Sequence, residues 1–149
     1  MVQVSQKSRY ALRALFELSR RHGEGPVRID EIARHQAIPP RFLAVILNQL
    51  KQAGLVRSVR GSRGGYELAQ SPAALTVGQT MRVTEGTIAP TGCVGDSADG
   101  CPLYPDCAFL PMWRRAAEAL SGVYDSTTFQ DLLDEERQRQ ESESITYVI

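Results

Sequence analysis

The run Leu50-Lys-Gln-Ala-Gly-Leu-Val-Arg-Ser-Val-Arg-Gly-Ser-Arg-Gly-Gly-Tyr66 narrows the fold more than any other stretch of the 149-residue chain. Gly54 is placed to stop a helix, since glycine alone enters the left-handed conformation of a helix C-terminus at no steric cost. Leu55 to Val59 then reads as a strand, and Arg60-Gly61-Ser62-Arg63-Gly64-Gly65 is too rich in glycine to prolong it. The chain must turn and come back through Tyr66-Glu67-Leu68-Ala69, which makes a β-hairpin.

Three helices are expected ahead of that hairpin. Lys7 to Arg21 sets Tyr10, Ala11, Ala14, Leu15 and Leu18 on one face before His22-Gly-Glu-Gly-Pro26 ends the period. A short helix around Asp30 to His35 buries Ile29, Ile32 and Ala33, and Ala37-Ile38-Pro39-Pro40 turns the chain. Ala37 stands where many such turns have glycine. Proline is tolerated in a first helical turn, so a third helix is predicted from Pro40 to Ala53. It would carry Phe42, Leu43, Ile46, Leu47 and Leu50 inward and leave Arg41, Ala44, Val45, Asn48 and Lys51 outward. Two helices joined by a tight turn and followed by a hairpin describe a winged helix-turn-helix, in a chain that is mainly α with one small β-hairpin. Contacts to double-stranded DNA are expected from Arg41, Ala44, Asn48 and Lys51 on the third helix, and from Arg60, Ser62, Arg63 and Tyr66 on the wing. The charge distribution agrees: residues 1–70 hold twelve Lys or Arg against five Asp or Glu, and residues 71–149 hold five against twelve. Read alone, that division is equally an unevenly solvated surface.

Beyond Ser71-Pro72, Thr76-Val-Gly-Gln79 has the spacing of a capping box and opens a helix to about Glu85, which Gly86 ends. A longer helix from about Ala108 carries Trp113, Ala116, Ala117, Leu120 and Val123 as an apolar stripe. The head has its own core, so the stripe is expected to pair with a second copy and make a homodimer suited to a palindrome; folding back on the same head is the other reading. A short helix from Thr128 to about Arg139 shows Phe129, Leu132 and Leu133. The expected organisation is a DNA-binding head over 1–86, a cysteine loop over 87–107, a dimerisation helix and a last helix over 108–139, and a frayed tail over 140–149.

The only cysteines, Cys93, Cys101 and Cys107, fall in a loop rich in Gly, Pro and Asp that suits neither helix nor strand. No apolar run reaches the roughly 18 residues of a membrane span, and the first residues lack a signal peptide's apolar core. A cytoplasmic setting without membrane contact is expected, where clustered thiols bind metal or do redox chemistry more often than they pair. Zinc would need one further N or O ligand and closer cysteine spacing than this chain has; a bare thiol sensor is the other alternative. Catalysis is not expected, since there is no Ser-His-Asp set or phosphate-binding glycine loop and only His22 and His35 supply imidazoles. A metal or cluster carrier for other proteins is the rival from another class.

Tyr10-Ala-Leu-Arg13, Ile32-Ala33, Phe42-Leu43, Leu50 to Val56, Val59 to Tyr66 and the three late cysteines together resemble the Rrf-two family of bacterial winged-helix regulators over about residues 1–133. The resemblance implies a homodimeric transcription factor, sensing iron, redox state or nitric oxide through an iron-sulfur cluster on Cys93, Cys101 and Cys107. Three thiolates suit a 4Fe-4S cluster, and 2Fe-2S with one non-cysteine ligand stands second. Two positions depart from the family pattern: Leu110 stands where one branch has a ligating histidine, and Arg9 where another has a carboxylate. Asp96, Asp99, Tyr104, Asp106 and His35 are the remaining candidates for a fourth ligand.

Overall fold

The computed structural model describes residues 3–95 and 101–146. Among these the chain forms α1 (Gln6–Arg20), α2 (Ile29–Gln36), α3 (Pro40–Gln52), β1 (Val56–Val59), β2 (Gly65–Leu68), α4 (Val77–Glu85), α5 (Leu110–Ser126) and α6 (Phe129–Thr146). The strands pair antiparallel, with Val56 opposite Leu68 and Val59 opposite Gly65. This is the mainly α chain with one hairpin that the sequence predicts.

One core holds the head together. Ala11, Ala14, Leu15 and Leu18 of α1 meet Leu43, Leu47 and Leu50 of α3, with Ile32 of α2 closing one side and Leu55, Val56 and Leu68 of the hairpin another. Each buried leucine contributes about 1.5–3 kcal/mol of transfer free energy. Phe129, at the start of α6, is wholly buried in the same cluster. Its N–H donates to Leu75 O (2.9 Å), and Thr76 bridges Thr128, so the chain beyond α5 returns to the head rather than leaving it. Thr76 forms the predicted capping box with Gln79.

Three expectations change. Phe42, expected in the core, is 54% exposed. At about 100° per residue it lies near the edge of the buried arc centred on Leu43, Ile46, Leu47 and Leu50. Gln49, on that flank two turns on, is covered by α4 through a hydrogen bond to Val83 O, whereas Phe42 stays more than half exposed.

The tail is the second. Residues 140–146, expected to fray, continue α6. Glu, Gln and Arg are good helix formers, and the hydroxyls of Ser142, Ser144 and Thr146 donate to the carbonyls of Gln138, Gln140 and Ser142. An apolar period reports which face is buried, and a helix exposed all round has none. Residues 147–149 of the expected tail lie outside the described residues.

The third is Ala117, expected at a subunit interface and buried within its own chain. The covered face of α5 is Leu110, Trp113, Ala117, Leu120 and Tyr124, and α4 is the helix it adjoins.

Candidate nucleic-acid interface and cysteine loop

The turn between α2 and α3 is closed by Ala37 in the left-handed conformation (φ 50°, ψ 49°), its N–H donating to Ala33 O. Alanine takes the geometry glycine would, and the Arg13 guanidinium donates to Ala37 O (3.2 Å), tying the turn to α1. α3 then presents Arg41, Ala44, Val45, Asn48 and Lys51 to solvent, while Leu43, Ile46, Leu47 and Leu50 hold it on the core.

The wing is fastened to the head at its base. Val27 and Tyr66 exchange backbone hydrogen bonds of 2.8 Å in both directions. Gly65 allows that approach, because a Cβ there would stand 2.3 Å from Val27 O. Tyr66 is half-buried against the core, so its place is at the anchor of the wing rather than the tip. Arg57 is paired across the strands with Glu67 (2.7 Å). Arg60, Ser62 and Arg63 are exposed at the tip, and neither arginine has an ion pair among the described residues.

Cys93 lies half-exposed in a single 3₁₀ turn, Gly92–Val94, with Thr91 Oγ1 3.0 Å from its sulfur. Cys101 is exposed, and its carbonyl accepts from the Tyr104 N–H. Cys107 is half-exposed, and its carbonyl accepts from the N–H of Leu110, the first residue of α5. All three thiols are free. Their chemistry suits an iron-sulfur cluster, but among the described residues no three His, Cys, Asp or Glu side chains gather closely enough to hold a metal ion. Asp96 and Asp99 lie outside the described residues. His35 is engaged elsewhere, with Nδ1 2.8 Å from Glu17 Oε1 on α1. Leu110 is buried, and Arg9 is exposed on α1.

The ends of the loop are held differently. Glu85, the last residue of α4, accepts from the Ser5 N–H (2.9 Å) and from the Ser8 hydroxyl at the start of α1. Those hydrogen bonds hold its carboxyl below the ordinary carboxylate range. At the far end of α5, Asp125 forms a two-pronged pair with Arg82 of α4 (2.6 and 2.7 Å). That pair lowers the Asp125 carboxyl and raises the Arg82 guanidinium. α5 is therefore pinned at its C-terminal end, while its N-terminal end begins three residues after Cys107. Sequence reasoning passed over Gln49, Arg82 and Asp125, whose partners lie more than thirty residues away and carry no local signal.

A helix-turn-helix with a cationic wing defines a winged-helix protein of the nucleic-acid-binding kind. The family model described as "Iron-dependent Transcriptional regulator", Rrf2, matches residues 4–135. The chain is 37% identical to the HTH-type transcriptional regulator CymR of Bacillus subtilis (strain 168), over 88% of this chain and 89% of that protein. It is 30% identical to IscR of Serratia proteamaculans (strain 568), over 89% and 80%. The solved structure of CymR (YrzC), the global cysteine regulator of B. subtilis, superposes with a TM-score of 0.77 at 36% identity, covering 91% of this chain and 98% of that one. T. potens IscR does so with 0.77 at 32% identity, covering 93% and 91%. The chain belongs to the Rrf2 family of transcriptional regulators. Among the described residues no helix is long and apolar enough to cross a membrane.

Proposed function

We propose that this chain is a cytoplasmic, homodimeric transcription regulator that binds a palindromic operator and adjusts its grip through Cys93, Cys101 and Cys107. The carrying observation is the placement of three free thiols between α4, which is hydrogen-bonded to α3 through Gln49, and α5, whose start is hydrogen-bonded to Cys107. Arg41, Ala44, Asn48 and Lys51 face the major groove, and Arg60, Ser62 and Arg63 meet the backbone or minor groove. Tyr66 sets the angle of the wing.

The reading of the three thiols as holders of an iron-sulfur cluster, 4Fe-4S ahead of 2Fe-2S, rests on their chemistry and on the likeness to IscR proteins. When bound, such a cluster supplies a tie across the loop that oxidant, nitric oxide or iron shortage removes. The chain's own part is mechanical. Gathering Cys93, Cys101 and Cys107 would move the segment that ends at α5, whose first residue Leu110 is hydrogen-bonded to Cys107 and buried, so that movement of the loop is passed to the helix.

Assembly is proposed through a second face of α5. Phe109, Met112, Ala116, Ala119 and Val123 follow a three-four spacing, and Phe109 (63%) and Val123 (62%) are exposed. That period makes a seam for another helix. Trp113, Ala117 and Leu120 support the seam from behind, on the face turned to the chain's own head.

Protein purified without oxygen tests the reading. Visible absorption with matching iron and sulfide is expected, and is expected to vanish in each Cys→Ala variant while the dimer persists. Exposure to air should change operator affinity at least about tenfold, a coupling of about 1.4 kcal/mol. A colourless, iron-free protein whose DNA affinity responds to peroxide would favour the second reading, a bare thiol sensor, which the free state of all three thiols supports. Equal affinity in every state would remove both.

A further inference from the structure

We propose that Phe42 and Val45 of α3 read thymine methyl groups in the operator, an inference that rests on the DNA-binding reading and adds a specificity determinant to it. Val45 is 67% exposed at the middle of the outward arc of α3, between Arg41 four residues before it and Asn48 three residues after. Phe42 is 54% exposed on the flank of the same turn, with the Arg41 guanidinium carbon 5.8 Å from its ring centroid. Two large apolar side chains exposed one turn apart, on the arc proposed to enter the major groove, are placed for apolar contact with what lies there.

Charge decides which partner. With twelve cationic and five acidic residues over 1–70, a second head docked on this face would meet like charge, whereas a polyanion would not. Along the major groove the thymine C5-methyl is the apolar group that a side chain meets, and aliphatic or aromatic contact is how it is recognised. The polar inventory of the arc points the same way. Arg41 and Asn48 have the fork geometry that matches guanine and adenine edges, but Ala44 and Val45 between them offer no hydrogen bond. At about 1.5 Å of helix rise per residue, Val45 sits some 6 Å beyond Arg41, close to two base-pair steps. A thymine about two base pairs from the guanine read by Arg41 is the expected pattern in each half-site.

The test uses the full-length protein prepared without oxygen and a pool of randomised duplexes. From an enriched duplex, each thymine is replaced singly by deoxyuridine, which removes only the methyl group. Binding is expected to weaken about three- to fivefold at one or two positions of each half-site. Val45→Ala should abolish that sensitivity at one position and Phe42→Ala at another. Both variants should melt with the wild type, because neither side chain contributes to the core. A wild type indifferent to deoxyuridine everywhere overturns the inference and leaves the DNA-binding reading standing. A pool that yields no enriched duplex overturns the DNA-binding reading itself, and this inference with it.

Discussion

Gln49 of α3 donates its side-chain amide to Val83 O of α4 at 2.8 Å. Val83 lies two residues before the end of α4, so its carbonyl is one of the last-turn acceptors that the helix leaves without an internal partner. The hydrogen bond thus joins the helix proposed to read DNA to the helix from which the cysteine loop departs. Gln49→Leu is expected to cost about 1 kcal/mol of stability. Its larger effect should be on coupling: the ratio of operator affinities before and after exposure to air, about tenfold in the wild type, should fall below about threefold. Mobility shifts on both proteins in both states check this, and an unchanged ratio would show that the signal takes another route.

Arg63 and Arg41 should matter for binding and not for folding. Both are exposed, and Arg63 has no ion pair among the described residues. Arg63→Ala or Arg41→Ala should weaken operator binding by roughly 1–3 kcal/mol, with the melting temperature unchanged. Arg63→Ala should also reduce the salt dependence of binding by about one phosphate contact. Full affinity in both variants would remove the winged-helix account of DNA recognition.

Ala37 holds a left-handed backbone (φ 50°) without being glycine. That conformation costs an L-residue about 1–2 kcal/mol, and a glycine there would lose about 0.4–1 kcal/mol of that gain to its freer unfolded state. Ala37→Gly should therefore stabilise the protein by roughly 0.5–1 kcal/mol, read from the urea midpoint at constant slope. Destabilisation would mean that the alanine methyl has a packing role.

Much of this fold could be read in the chain because glycine and proline punctuate it. Gly54, the 61–65 turn, Gly86 and the capping box at Thr76 place α3, the wing and α4 within a residue or two. What escaped was relational. Periodicity assigns Phe42 to a flank but cannot say how far α4 extends to cover it. Along α5 two stripes share Ala116 and Val123, and which faces the chain's own α4 depends on the pinning of Asp125 by Arg82, a contact 43 residues apart. The cysteines announce thiol chemistry through their clustering, but their spacing does not tell whether the loop holds them together.

Glu17 makes stability depend on pH at the acid end. It is 1% exposed on α1 and accepts from His35 (2.8 Å) and Gln36 (2.9 Å) of α2, with Arg20 at 3.2 Å. Burial alone would raise its carboxyl, but the hydrogen bonds of His35 and Gln36 and the charge of Arg20 outweigh that and hold it below the usual 4.5. A depressed folded value means that the unfolded chain takes the proton more readily. Its contribution is therefore complete above 4.5 and is lost as pH falls through the folded value. Glu17→Gln should cost about 1–3 kcal/mol at pH 7 and leave a shallower loss of stability on acidification. Parallel acid slopes for wild type and variant would assign the dependence to other carboxyls.

Val123 separates assembly from folding. It is 62% exposed on the Phe109–Met112–Ala116–Ala119 face of α5, so within one chain it has little to lose, and a charge placed there reaches water. In a helix seam the same charge would be buried opposite its own copy without a partner, which two-fold symmetry makes unavoidable. Val123→Asp should accordingly sediment as a monomer at micromolar concentration, keep its helical signal, and lose cooperative binding to paired half-sites. Leu120→Asp is the less clean probe, because Leu120 is partly covered by its own chain and its loss should lower monomer stability as well. If the wild type sediments as a monomer, or Val123→Asp as a dimer, the seam does not pair the subunits.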